Sequence, residues 1–187
     1  MQHEDEIMEK EPGIGRSALL FVRDIAIAFA ILILILQFVR PTLIFEHSME
    51  NTLHPQDYVF LAKQAYTFGE VEQGDILVFK SVLLDDHGTN KNLIKRVIGL
   101  PGDVIEIKDS AVYRNGERLV EPYTKDGVTE GVMAPVTVPE DEYFVMGDNR
   151  RVSLDSRREE VGCVPEENLV GKVIFRLFPI STAGVVK

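Results

Sequence analysis

One cysteine, Cys163, and no tryptophan are found among the 187 residues. A single thiol cannot close an internal disulfide or bring a cysteine cluster to a metal, so neither covalent staples nor zinc-type folding support this chain. Cys163 is therefore read as a small buried apolar residue. Basic charge is also scarce. With 20 Lys+Arg against 30 Asp+Glu, a net charge of −10 and no basic block to track a phosphate backbone, nucleic acid is excluded as a partner. The four histidines include no i, i+4 pair, and neither a metal nor a cofactor is predicted. Repeats and low-complexity tracts are missing. What is present, 45% hydrophobic and 27% charged residues at a mean hydropathy of +0.01, excludes both a wholly disordered chain and a polytopic membrane protein.

The one long apolar run lies near the start. Residues 2–16 are polar and acidic, and the stretch SALLFVRDIAIAFAILILILQFV follows. Residues 25–39 alone would span only about 22 Å as a helix, short of a hydrocarbon core of about 30 Å. Counting from Ser17 makes the helix long enough, provided Arg23 and Asp24 lie near one end, where Arg23 snorkels and the two charges compensate. Residues 25–36 are apolar all round, which argues against a core helix with one solvent face. The acidic start and the exit RPTLIFEHS argue against a cleaved signal peptide. Lys10, Arg16 and Arg23 precede the run, whereas only Arg40 and Lys63 follow closely, so the N-terminus is expected in the cytoplasm. The resulting division is a cytoplasmic tail over 1–16, a single transmembrane anchor over 17–39 in the plasma membrane, and an external domain over 40–187.

That domain reads as mainly β, a barrel or sandwich with one short helix. Short runs such as DYVFLAK, GDILVFK, NLIKRVIGL, DVIEIK, EYFVMG and GKVIFRLF are punctuated by turn residues. Asn115-Gly116 between strand-like runs predicts a hairpin, because both central residues of a type I′ turn need positive φ. Residues 84–92 and 123–134 read as surface excursions.

Three clusters hold the side chains suited to chemistry. The first is IFEHSMENTLHPQDYVF, in which Ser48 stands eight residues beyond Arg40, at most about 29 Å of extended chain from it. A nucleophilic serine needs a base and donors for an oxyanion. His47 would point away from Ser48 in an extended segment and His54 lies beside Pro55, so no Ser/His/Asp signature forms locally. The second cluster is NLIKRVIGL. Read as a strand, it places Leu93, Lys95 and Val97 on one face and Ile94, Arg96 and Ile98 on the other, so a cation sits among apolar neighbours on both. Arg96 keeps its proton, whereas Lys95 becomes a candidate general base if burial destabilises its ammonium by about 4 kcal/mol. A lysine snorkelling from a strand edge is the alternative. The third cluster, GDNRRVSLDSR, is a polar loop in which Asp155 is spaced to pair with Arg150 or Arg157.

Taken together and in this order behind one anchor, SMENTL, GDILVFK, KRVIGLPGD and GDNRRVSLDSR resemble the motif boxes of the bacterial type I signal peptidases, over nearly the whole chain. The resemblance implies a largely β catalytic domain, of the barrel/sandwich kind found in that family, that meets the lipid bilayer along an apolar edge. It also implies a Ser/Lys serine endopeptidase that removes signal peptides from secretory preproteins after an A-x-A site. Position by position, Ser48 would be the nucleophile and Lys95 the general base. Ser153 would hydrogen-bond the Lys95 amine, Asp155 and Arg157 would form an ion pair beneath it, and Arg96 would be structural. The Ser48 main-chain N–H would serve the oxyanion, and Ile44, Met49, Leu53, Leu93 and Ile94 would line shallow pockets for small side chains. Where the family usually carries Gly one or two positions before the serine and often Pro three after it, this chain has Glu46, His47 and Asn51. A membrane-anchored binding or assembly module of the same fold, with Lys95 as a structural cation, is the competing expectation. A Ser/Lys self-cleaving repressor would need a DNA-binding module that is not found here.

Overall fold

The computed structural model describes residues 14–84 and 87–186. The acidic tail, with His3 and Lys10, lies outside them, as do Asp85, Asp86 and the side chain of Arg16. The chain divides into two compact units, the first ending at Gln37 and the second beginning at Phe38.

The first unit is the helix α1 (Ile14–Phe38). Its segment Ser17–Phe38 has a mean hydropathy of 2.7 and is long and apolar enough to cross a membrane. Leu19, Phe21, Ile25, Phe29 and Leu34 are all exposed, as expected of a helix that offers no polar face. Arg23 and Asp24, about three turns into the helix, pair with each other at 2.8 Å.

Among the described residues the second unit contains twelve strands. In chain order they are β1 (Val39–Leu43), β2 (Tyr58–Ala62), β3 (Ile76–Leu84), β4 (Asn90–Gly99), β5 (Val104–Lys108), β6 (Ala111–Arg114), β7 (Glu117–Arg118), β8 (Met133–Thr137), β9 (Glu142–Met146), β10 (Val164–Pro165), β11 (Leu169–Phe178) and β12 (Gly184–Val185). The expected short helix is α2 (Ala65–Phe68). The larger sheet runs β1-β2-β11-β3-β4-β9-β10, with β12 on β11, and the smaller runs β7-β6-β5-β8. All pairings are antiparallel. Ile98, Phe144 and Met146 from the larger sheet share one core with Ile105, Ile107 and Val112 from the smaller.

The domain is mainly β as expected, but no closed barrel forms among the described residues. The larger sheet ends at β1 and at β10, whose Pro41 and Pro165 lack the N–H needed to continue a ladder. The Asn115-Gly116 hairpin is present: both residues have positive φ (54° and 83°), and Arg114 pairs with Glu117 across the turn. The two excursions are shorter than the polar composition predicts. β3 continues to Leu84 and β4 starts at Asn90, paired with each other, while β8 already begins at Met133.

The strand β4 runs through the middle of the larger sheet, between β3 and β9. From Leu93 to Gly99 every residue is buried. Leu93 and Val97 pack with Leu77, Phe79 and Val145, while Ile94 packs in a separate cluster with Leu61 and Val78. Both charges carried by this stretch, on Lys95 and Arg96, are therefore removed from water.

Candidate active site

Ser48 stands at the start of a tight turn. The Thr52 and Leu53 N–H groups both donate to the Met49 carbonyl, at 3.0 and 2.8 Å, so residues 49–53 wind like a helical turn instead of running extended. Met49 and Leu53, four apart, thereby point to the same side. Both are completely buried in the core beside Ile44, Val59 and Leu61. Neither stands on the wall of the two cavities that flank Ser48 and Lys95, where the family resemblance led one to expect them. Asn51 in this turn has a φ of 92°, which proline cannot adopt, and its Nδ2 donates to the Tyr123 carbonyl at 3.1 Å.

The loop after β9 clamps this turn from above. Its Asn149 donates from the main-chain N–H to the Ser48 carbonyl at 3.0 Å and from Nδ2 to the His47 carbonyl at 3.1 Å. Gly147 makes the approach possible: a Cβ there would collide with Ser153 Oγ and with the Ser48 carbonyl oxygen, closer than any side-chain carbon fits. Glu50 adds a second tie. Its carboxylate takes the His47 ring, Lys125 and Asn149 Nδ2, and the hydrogen bonds from His47 and then Lys125 hold it at a pKa of about 2.

β4 delivers the partner. Lys95 Nζ lies 2.8 Å from Ser48 Oγ, and both side chains are buried. Lys95 makes no ion pair among the described residues, and burial pushes its ammonium below the ordinary lysine range. Glu46 and then Asp155 pull it back up, while Lys91 and Arg157 act with the burial. The next residue fares differently. Arg96 grips Asp148 through two nitrogens at 2.9 and 2.8 Å, reaches the Gly74 carbonyl and Thr52 Oγ1, and lies 4.1 Å over the Tyr123 ring. Thr52 Oγ1 in turn bonds Asp148, so the Arg96 cluster fastens the turn bearing Ser48 to β4 and to the loop.

Asp155 pairs with Arg157, not Arg150, through both oxygens at 2.8 and 2.9 Å, and also accepts the Gly147 N–H. Arg150 is taken by Glu121. Ser153 departs from expectation: its Oγ is buried against Gly147 and has no hydrogen-bond partner among the described residues, so the bond to the Lys95 amine is not made in this structure. The Ser48 main-chain N–H has no acceptor among the described residues.

Two cavities flank the pair. One of about 430 Å³ contains Ser48 and Lys95 and is walled by Phe45, Leu83, Val152 and Leu154. The other, about 330 Å³ and largely apolar, is lined by Ile44, Leu61, Val78, Ile94 and Val170. Phe45, Glu46, Lys91 and Leu93 belong to both walls. Of the residues expected at the substrate pockets, Ile44, Leu93 and Ile94 stand on the wall of the apolar cavity. Phe45, Val152, Leu154 and Lys91 were missed, although Val152 and Leu154 are apolar residues alternating with Ser153 in an otherwise polar loop.

The family profile described as signal peptidase, peptidase S26, matches residues 18–178. Signal peptidase I of Bacillus licheniformis is 37% identical over 183 residues, covering 92% of this chain and 95% of that protein. Signal peptidase I T of Bacillus subtilis (strain 168) is 36% identical, covering 85% and 84%, and signal peptidase IB of Staphylococcus aureus (strain COL) is 35% identical, covering 86% and 90%. A crystal structure of a signal peptidase I from Enterococcus faecalis V583 aligns at 31% identity and a TM-score of 0.46, covering 56% of this chain and 97% of the other. With a profile match over most of its length and relatives that align nearly end to end, the chain belongs to the signal peptidase family, peptidase S26, and is a peptidase.

Proposed function

We propose that the protein is a membrane-anchored serine endopeptidase that cleaves signal peptides from secretory preproteins after an A-x-A site. In this reading Ser48 is the nucleophile and Lys95 the general base. The observation that carries it is the buried 2.8 Å contact between Ser48 Oγ and a lysine with no carboxylate partner among the described residues. A neutral amine accepts the Ser48 proton as Oγ attacks the scissile carbonyl carbon. The oxyanion that forms is met by the Ser48 N–H. The ammonium then returns its proton to the departing amine, leaving an acyl-enzyme that water, activated by the same lysine, hydrolyses.

Ser153 has hydrogen-bond capacity that no other described residue uses, and it takes the amine when Ser48 Oγ turns to substrate. Asp155 and Arg157 hold the loop beneath them. An extended substrate places one small side chain in the Ser48 cavity and another, two residues upstream, in the apolar cavity lined by Ile44, Leu93 and Ile94, which supports the A-x-A preference. Residues 1–16 form the cytoplasmic tail, 17–39 the plasma-membrane anchor and 40–187 the external catalytic domain. The short tether from Arg40 keeps Ser48 near the layer where signal peptides emerge.

The test is cleavage of an A-x-A precursor by the full chain in lipid vesicles. Ser48→Ala and Lys95→Ala should each abolish turnover without loss of fold, since the two groups act as a unit. Lys95→Arg should be equally inactive, because the guanidinium keeps its proton. Turnover well above background in any of them refutes the dyad, and a wild-type chain that binds precursor without cleaving it supports the inactive module.

A further inference from the structure

Glu46 is the acidic residue closest in sequence to Ser48 on its N-terminal side, and it stands on the wall shared by the two cavities. A free carboxylate there would favour the charged form of Lys95 and so disarm the base. It is instead engaged by Lys91, whose Nζ lies 2.9 Å from Glu46 Oε1. Lys91 lies four residues before Lys95 on the same face of β4, about 13 Å along the strand. It therefore contributes a positive charge that opposes protonation of Lys95 while it neutralises Glu46.

We propose that the Glu46–Lys91 ion pair is a positioning device for the dyad: Lys91 holds the Glu46 carboxylate on the wall between the cavities and cancels its charge at Lys95, so that Lys95 serves Ser48 as a neutral amine. The proposal rests on the Ser48/Lys95 reading. The other charged groups around Lys95 are already committed. Asp155 is gripped by Arg157 from the loop, Arg96 and Asp148 neutralise each other behind the strand, and His47, in the same cavity, turns its ring to Glu50. The Glu46 and Lys91 side chains are partly exposed, 32% and 49% accessible, so both residues can be changed without disturbing the core.

The experiment is the pH dependence of kcat/KM for the full chain in detergent micelles with an A-x-A precursor peptide. Lys91→Gln leaves Glu46 uncompensated and should move the rising limb to higher pH by about half a unit or more, a threefold loss at a fixed pH on that limb. Glu46→Gln should move it the other way. The double variant should return close to the wild type, and Lys91→Arg should preserve the wild-type profile. In a Ser48→Ala background, NMR titration of the Lys95 side chain should reproduce the same directions without reliance on turnover. Single variants that leave the limb in place, or that shift it in the same direction, overturn the proposal. Turnover by Ser48→Ala itself would instead overturn the dyad reading beneath it.

Discussion

Two adjacent cations on β4 are buried to the same degree and treated in opposite ways. Arg96 gains a bidentate carboxylate, a carbonyl, a hydroxyl and an aromatic face, so its charge is fully compensated. Lys95 gains one hydroxyl, and burial drives its pKa down. This residue therefore costs stability when protonated. The folded state favours the neutral amine, so between its depressed pKa and the ordinary lysine value the unfolded chain binds more protons, and stability rises with pH through that window. Lys95→Met removes the titration. The expected outcome is that the variant is more stable than the wild type near neutral pH and that the gap in thermal midpoint narrows as pH rises towards 10. A gap that stays constant with pH would show that Lys95 is not carrying a suppressed charge. Thermal melts of both proteins across that range decide it.

At the scale of the element, the turn over residues 47–53 converts sequence neighbours into parts with separate duties. Ser48 faces the cavity, while Met49 and Leu53 are rooted in the core. Met49→Ala and Leu53→Ala should each destabilise the fold by about 2–5 kcal/mol and leave the proposed A-x-A preference of the remaining folded enzyme unaltered. A changed preference at undiminished stability would return them to the substrate pockets.

That division of duties marks the boundary between local and non-local information in this chain. Asn115-Gly116 was legible because a type I′ turn is a local demand on two φ angles. Ser48, Lys95, Asp155 and Arg157 could be singled out as candidates because they sit in long motif strings. Met49 and Leu53, expected at the pockets, pack in the core, because apolar spacing alone does not distinguish a wound turn from an extended segment. The Glu46–Lys91 pair, the capture of Arg150 by Glu121 and the pairing of Leu84 with Asn90 depend on which segments become neighbours, and nothing local encodes that. The open edges at Pro41 and Pro165 were visible as prolines, but their meaning depended on knowing that they end the sheet.

At the scale of the molecule, the proposed anchor is the first compact unit, and Ser48 follows Arg40 by only eight residues. With the proposed anchor in the bilayer, the proposed nucleophile lies within about 29 Å of extended chain from Arg40, and on that reading its search for membrane-borne precursors is confined to a thin layer. Confinement of this kind raises effective concentration without any new contact, and the gain for linked partners is on the order of 10²-fold or more. A short soluble peptide receives no such benefit, because it meets the site from bulk solvent whether or not the anchor is present. Removing residues 1–37, the first compact unit, should therefore lower the processing of a vesicle-embedded precursor by roughly 10²-fold while changing kcat/KM for a short A-x-A peptide in detergent by less than about tenfold. Parallel assays on the two substrates measure the ratio directly. Equal losses on both would mean that the helix contributes to the folding or assembly of the site and does more than hold it at the membrane. No loss on either would mean that the domain's own apolar surface is sufficient for membrane residence.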